Sequence, residues 1–192
     1  MRIRLRLLLM SLLFLIFSRT AQAGSELELT IRFSKKVHTI GDTVEFFITF
    51  KNTSHQPIRV LPEVGLFSSD LLSIRKLGGG AKAEYVRTPA EPGLDLTALS
   101  KYVVLLNPGD SLTRHLSAIV VSHLPEAYEK PKTGLFLDFS NSAIKLPGFG
   151  KYEARADYDS TFEHPTGSQL VEDPKLWSGK VHSMPVILEF RK

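Results

Sequence analysis

The chain has 192 residues, with 24 basic and 20 acidic side chains, 43% hydrophobic residues and no cysteine. The missing cysteine excludes disulfides, thiolate metal centres and a cysteine nucleophile, so an apolar core alone must hold the fold. The formal charge of +4 makes no case for nucleic acid or an anionic membrane. Arg2, Arg4, Arg6 and Arg19 account for all of it and sit in a segment that is expected to be removed.

That segment, residues 1–23, has the layout of a cleavable signal peptide. A basic start is followed by the apolar run Leu7 to Phe17 and by Ala21-Gln22-Ala23, an A-x-A cleavage site. The run is too short for a bilayer, which needs about 20 apolar residues. The mature chain is therefore expected to be one domain, residues 24–192, exported to the periplasm or the extracellular space and without an integral membrane segment. Asn52-Thr53-Ser54 fits a glycosylation sequon, which matters only in a eukaryotic host.

From Glu26 to Phe33 apolar and polar residues alternate, predicting a half-buried strand with Leu27, Leu29, Ile31 and Phe33 inward. Gly41-Asp42 marks a turn, and a second strand follows over Thr43 to Lys51 with Val44, Phe46, Ile48 and Phe50 inward. Asn52 to Pro57 forms a polar tip, and Ile58 to Leu61 begins a third strand. Leu71 to Leu77 and Lys82 to Arg87 flank Gly78-Gly79-Gly80-Ala81, the pattern of a glycine-tipped hairpin. A short helix over Ser69 to Leu77, capped by Ser69 or Asp70, is the alternative.

Pro89 and Pro92-Gly93 place a loop over Thr88 to Ser100. Strands are then expected over Lys101 to Leu106 and Ser111 to Val121, on either side of the turn Asn107-Pro108-Gly109-Asp110. Ser122 to Phe149 is irregular, with a short strand inside it at Leu135 to Phe139. Its apolar Leu124, Tyr128, Leu135, Phe136 and Phe139 either fold back onto the core or form a surface patch.

Pro147-Gly148-Phe149-Gly150 turns the chain into a strand with Tyr152, Ala154, Ala156 and Tyr158 on one face and Glu153, Arg155 and Asp157 on the other. A loop spans Asp159 to Lys175, and the last strand runs from about Trp177 to Arg191. Pro185 there requires an edge or a bulge, because proline cannot donate to a ladder. About eight or nine strands separated by turn signals predict an all-β antiparallel sandwich.

Three segments carry a resemblance: Asn107-Pro108-Gly109-Asp110 before one strand, Gly150-Lys151-Tyr152-Glu153-Ala154-Arg155-Ala156 opening another, and Trp177-Ser178-Gly179-Lys180-Val181 before the last. In that order the chain resembles immunoglobulin-like domains of secreted bacterial proteins, many of unknown function. The resemblance implies a sandwich whose penultimate strand carries a corner tyrosine, Tyr152, bonded back across the turn. Ala154 stands where antibody domains have their second disulfide cysteine, and the sole tryptophan, Trp177, lies in the final strand region. A weaker likeness to the intracellular proteinase inhibitor family rests on Lys51-Asn52-Thr53 and Leu105-Leu106-Asn107-Pro108-Gly109-Asp110. It implies a secreted proteinase-inhibitor-like domain as one alternative function.

In such a sandwich alternate connections share an end, which gathers Asn52 to Pro57, Gly78 to Gly80, Asn107 to Asp110, and Asp159 to Lys175. His55, Asp110, Asp159, Glu163 and His164 would then line one surface, either as a binding site or as solvated loop tips. A metal-dependent enzyme built on them is the second alternative. Asp157-Tyr158-Asp159-Ser160-Thr161 begins like a calcium loop, but it lacks the glycine at the sixth position and the glutamate at the twelfth. His38, His115, His123 and His182 have no metal-ligand spacing, and no nucleophile elbow, phosphate loop or dinucleotide fingerprint occurs. The sequence thus predicts a non-catalytic module with no cofactor and a protein or peptide partner. Tyr152 and Trp177 serve structure in this account.

Overall fold

The computed structural model describes residues 26–62, 71–79, 82–87, 102–125, 128, 133–140, 142–160 and 176–192; the expected signal peptide lies outside them. These residues form thirteen strands and no α-helix. The strands are β1 (Leu27–Phe33), β2 (Val37–His38), β3 (Thr43–Asn52), β4 (Ile58–Val60), β5 (Leu72–Lys76), β6 (Glu84–Arg87), β7 (Val104–Leu106), β8 (Ser111–His123), β9 (Thr133–Asp138), β10 (Ser142–Leu146), β11 (Gly150–Asp159), β12 (Lys180–His182) and β13 (Val186–Phe190). The surplus over the expected eight or nine includes β2, β10 and the division of the last strand in two.

The largest sheet has the order β1-β3-β8-β9-β10-β6, antiparallel throughout. A second sheet is centred on β11, with β5 along one edge and β12 and β13 end to end along the other. β2 joins it beyond β13 in a two-residue parallel pair, Glu189 with Val37 and Phe190 with His38. The chain therefore leaves the first sheet after Phe33 and enters the second at Val37. β4 and β7 form a separate two-stranded ribbon.

One hydrophobic cluster draws on both large sheets. β3 contributes Val44, Phe46, Ile48 and Phe50, and β11 contributes Tyr152, Ala154, Ala156 and Tyr158, all buried. The period-two patterns read from the sequence supply these side chains. A smaller cluster of Val86, Leu124, Tyr128, Phe136 and Ala143 lies on the opposite face of the larger sheet, because Phe136 alternates with the core residues Leu135 and Leu137. Of the two fates open to the 122–149 connection, packing is therefore the one found. The Tyr128 hydroxyl donates to Asp138 Oδ1 at 2.5 Å and lies 3.1 Å from the Ser142 carbonyl. Asp138 also accepts the Ser140 amide at 2.9 Å. Burial first, and then the Asp138 carboxylate, push the Tyr128 hydroxyl well above the usual tyrosine range.

The segment 72–76 is strand rather than helix, with Leu72 and Ile74 buried and bonded along β11. The glycine hairpin forms only at its base, through the Arg75–Lys82 bridge and the Ala83 amide on the Ile74 carbonyl at 3.1 Å. Its arms then diverge, β5 to β11 and β6 to β10. The last strand carries the bulge that Pro185 requires. Ala154 pairs with Val186 and Asp157 with His182, so the later strand has one residue more than β11 over this interval. The Ser183 hydroxyl repairs the ladder by accepting the buried Ala156 amide at 2.9 Å, while the Ser183 amide donates to the Ala156 carbonyl at 2.9 Å.

At the corner before β11, Gly148 and Gly150 have φ of +102° and +137°, a region that side chains with a Cβ rarely adopt. The Tyr152 hydroxyl donates back to the Gly148 carbonyl, and burial raises that hydroxyl to about 12. Replacing Tyr152 with Phe removes the bond but keeps the ring. Unfolding in denaturant should then show a loss of about 1 kcal/mol, and an unchanged midpoint would contradict the corner's contribution.

Candidate functional site

The loops expected to share an end are only partly together. The Asn52 amide donates to the Asp110 carbonyl and the Gly109 amide to the Asn52 carbonyl, both at 3.0 Å, so these two tips abut. The Tyr158 ring meets Phe50 edge-on at 5.2 Å, which puts the Asp159 end of β11 at this same end. Gly78 and Gly79 do not belong here. Lys76 pairs with Tyr152, the Leu77 amide donates to the Lys151 carbonyl, and Lys76 Nζ donates to the Pro147 carbonyl. The glycine tip is thus at the opposite end, beside the tyrosine corner. The reason is that β5 runs antiparallel to β11 in the second sheet.

Of the five candidate residues, His55 is exposed at its loop tip. Asp110 closes its own turn, accepting the Asn107 amide at 2.9 Å and the Asn107 side-chain nitrogen at 3.0 Å. Asp159 is ion-paired with Lys180 at 2.6 Å. Glu163 and His164 lie outside the described residues. Among the described residues, no three His, Asp or Glu side chains converge as a metal site. Asp157 is half-buried on β11 and pairs with Arg155 at 2.9 Å.

Asn52 organises this end, although the sequence marked it only as part of a tip. It is buried, and its side-chain nitrogen donates to the carbonyls of Gln56 at 2.8 Å and Leu106 at 2.9 Å. Its oxygen accepts from the amide and hydroxyl of Ser54. Replacing Asn52 with Ala leaves the Leu106 carbonyl without this buried donor. The expected cost is about 2 kcal/mol, read from the denaturation midpoint, with faster amide exchange at residues 53–56.

Trp177 stacks on Tyr158 at 5.5 Å and is only partly buried. Its amide donates to the Arg59 carbonyl at 2.7 Å, and its carbonyl accepts the Ser160 hydroxyl at 2.9 Å. The Tyr158 hydroxyl lies 3.2 Å from the Leu61 amide, which donates to it, and burial raises it to about 12. Among the histidines, His115 stacks on Phe47 at 4.9 Å on the outer face of the larger sheet.

Among the described histidines His38 is the buried one, fully enclosed in β2 beside Phe190 at 5.9 Å. Its Nε2 donates to the Lys35 carbonyl at 2.9 Å, which leaves Nδ1 with the lone pair and no partner. Burial is the main cause that holds its pKa below the ordinary 6.5. The unfolded chain therefore takes up this proton before the folded one does. Stability from this ring is complete above pH 6.5 and declines as the pH falls through that value toward the lower folded-state pKa. Melting curves across this range should show the decline, and a His38→Gln variant should show less of it.

The second sheet presents a cleft of about 430 Å³ on its solvent side, lined by Ser73, Arg75, Lys82, Glu153, Arg155 and the bulge His182 to Pro185. Arg75 is ion-paired with Glu153 across the β5–β11 ladder. Met184 is 83% exposed at the lip and Ile187 is 43% exposed beside Glu153. Sequence reading flagged the Pro185 bulge but not the recess it opens, since that recess depends on which strands are neighbours.

No family model and no curated protein sequence matches the chain. Among solved structures, a β-glucosidase from Erythrobacter marinus is similar over 86% of this chain at 8% identity, with a TM-score of 0.34. The chain spans 15% of that enzyme's length. A likeness this distant carries nothing about fold or activity.

Proposed function

We propose that the protein is an exported, non-catalytic binding module with an immunoglobulin-like sandwich fold, which engages a protein or peptide partner. Export is supported by the basic start, short apolar run and A-x-A site of residues 1–23. The sandwich is supported by strand neighbours. β1, β3 and β8 lie side by side in one sheet, β5, β11 and β13 in the other, and the first strand segment switches sheets to run parallel to the last. The corner bond from Tyr152 to Gly148 is the one expected of the penultimate strand. The arrangement departs from that pattern at β9 and β10, which extend the larger sheet beyond β8, with β9 next to β8 and β10 between β9 and β6.

The observation that carries a binding role is the cleft on the open face of the second sheet. Its charged side chains include one cross-strand ion pair, its lip exposes Met184, and Ile187 is exposed next to the lining residue Glu153. Apolar side chains exposed beside polar ones suit a protein surface. No helix among the described residues is long and apolar enough to cross a membrane.

The test is capture by the immobilised mature protein from the compartment to which it is exported. A specific partner should be retained by the native domain and lost, by at least about tenfold in affinity, from a folded Met184→Asp, Ile187→Asp variant. Stoichiometric inhibition across a serine protease panel, or metal retained through purification, would overturn the module reading in favour of an inhibitor or a metal enzyme.

A further inference from the structure

The cleft on the second sheet has a definite charge character. Its lining carries Arg75, Lys82 and Arg155 against the single acid Glu153. Glu153 is engaged by Arg75. Asp157, across the ladder from His182, is engaged by Arg155 through Nε at 2.9 Å. Among the described residues Lys82 has no ion-pair partner, and the pair with Asp157 uses only one edge of the Arg155 fork.

The geometry of the recess follows from the bulge. Ser73 stands opposite Arg155 on the β5 side. On the other side the regular register is interrupted between Ala154–Val186 and Asp157–His182. Ser183 there is turned to the ladder, with its hydroxyl on the Ala156 amide. Arg155 thus has no regularly paired residue on that side, and Met184 and Pro185 line the cleft there as an apolar lip. Donors for an anion and an apolar wall are set side by side.

We propose, building on the module reading, that this cleft binds an acidic segment of a partner protein, seating a carboxylate between Lys82 and Arg155 and an adjacent apolar side chain against Met184 and Pro185. A guanidinium fork and an ammonium are the donor types that take a carboxylate. The excess positive charge favours an acidic occupant, and the apolar lip favours a protein segment over an anionic polysaccharide, which has nothing to bury against it.

The test uses the mature protein labelled with ¹⁵N and a blocked hexapeptide of alternating Glu and Leu, with its Gln–Leu counterpart and polygalacturonate as the other arms. Saturable amide shifts are expected at Ser73, Lys82, Arg155 and Ser183 with the Glu peptide, weakened about tenfold by Glu-to-Gln exchange or by Lys82→Glu. Lys82 is exposed, and an unchanged melting temperature shows that the variant is folded. Equal binding of the Gln peptide, shifts elsewhere on the domain, or tighter binding of polygalacturonate would each overturn the assignment. A partner captured by the domain that still binds the Lys82→Glu variant at full strength would overturn it too, while leaving the module reading in place.

Discussion

Two tyrosine hydroxyls set the terms for this fold. β11 buries Tyr152 and Tyr158 near its two ends with Ala154 and Ala156 between them. The rings supply much of the burial that a cysteine-free chain needs, but each brings a polar group that must find a partner out of water. Both are met by backbone, Gly148 of the preceding turn for Tyr152 and the distant Leu61 for Tyr158. The first fixes the corner by which the chain enters β11, and the second ties the β4 ribbon to the sheet. The small alanines between them leave room for Phe50, Leu188 and Phe190, which share the same cluster.

Other buried polar side chains follow the same rule of local repair. Asn52 holds the β3–β4 and β7–β8 turns together, Ser183 replaces a ladder contact at the bulge, and Ser160 bonds the Trp177 and Gly179 carbonyls and accepts the Gly179 amide. Each sits where regular pairing ends. His38 departs from this rule, with one ring nitrogen satisfied and the other enclosed without a partner. Asp42 nearby holds its turn by accepting from Lys35 and Thr39, and those bonds, Lys35 first, draw its carboxyl down to about 2.

The strands most legible in the sequence are those with one wet face: β1, β3 and β11 alternate cleanly and fall where the alternation puts them. β10 was not legible, because Ser142, Ala143, Ile144 and Leu146 are all buried, with Ala143 covered by the Leu124–Tyr128 cluster. A strand buried on both faces loses the period of two. β2 is two residues long and leaves no pattern at all. Gly78 and Gly79 lie at the opposite end from the one that alternating connections predict, because β5 separates from β6 and runs along β11 in the other sheet. Asp110 and Asp159 lie at one end of the domain, and both are engaged locally, in a turn and in an ion pair. The cleft stayed hidden for a different reason. Its walls come from distant parts of the chain, Ser73 and Arg75 with Lys82, then 153–155 and 182–185, and only the ladder registers bring them together.

The parallel pair between β2 and β13 joins segments from opposite extremes of the described chain. Closing such a loop costs chain entropy before any contact repays it, and long sequence separation slows folding. The second sheet cannot acquire its outermost strand until residues near 190 are free to pair with residues near 37. A chain emerging N-terminus first from a ribosome therefore stays incomplete along this seam until β13 arrives.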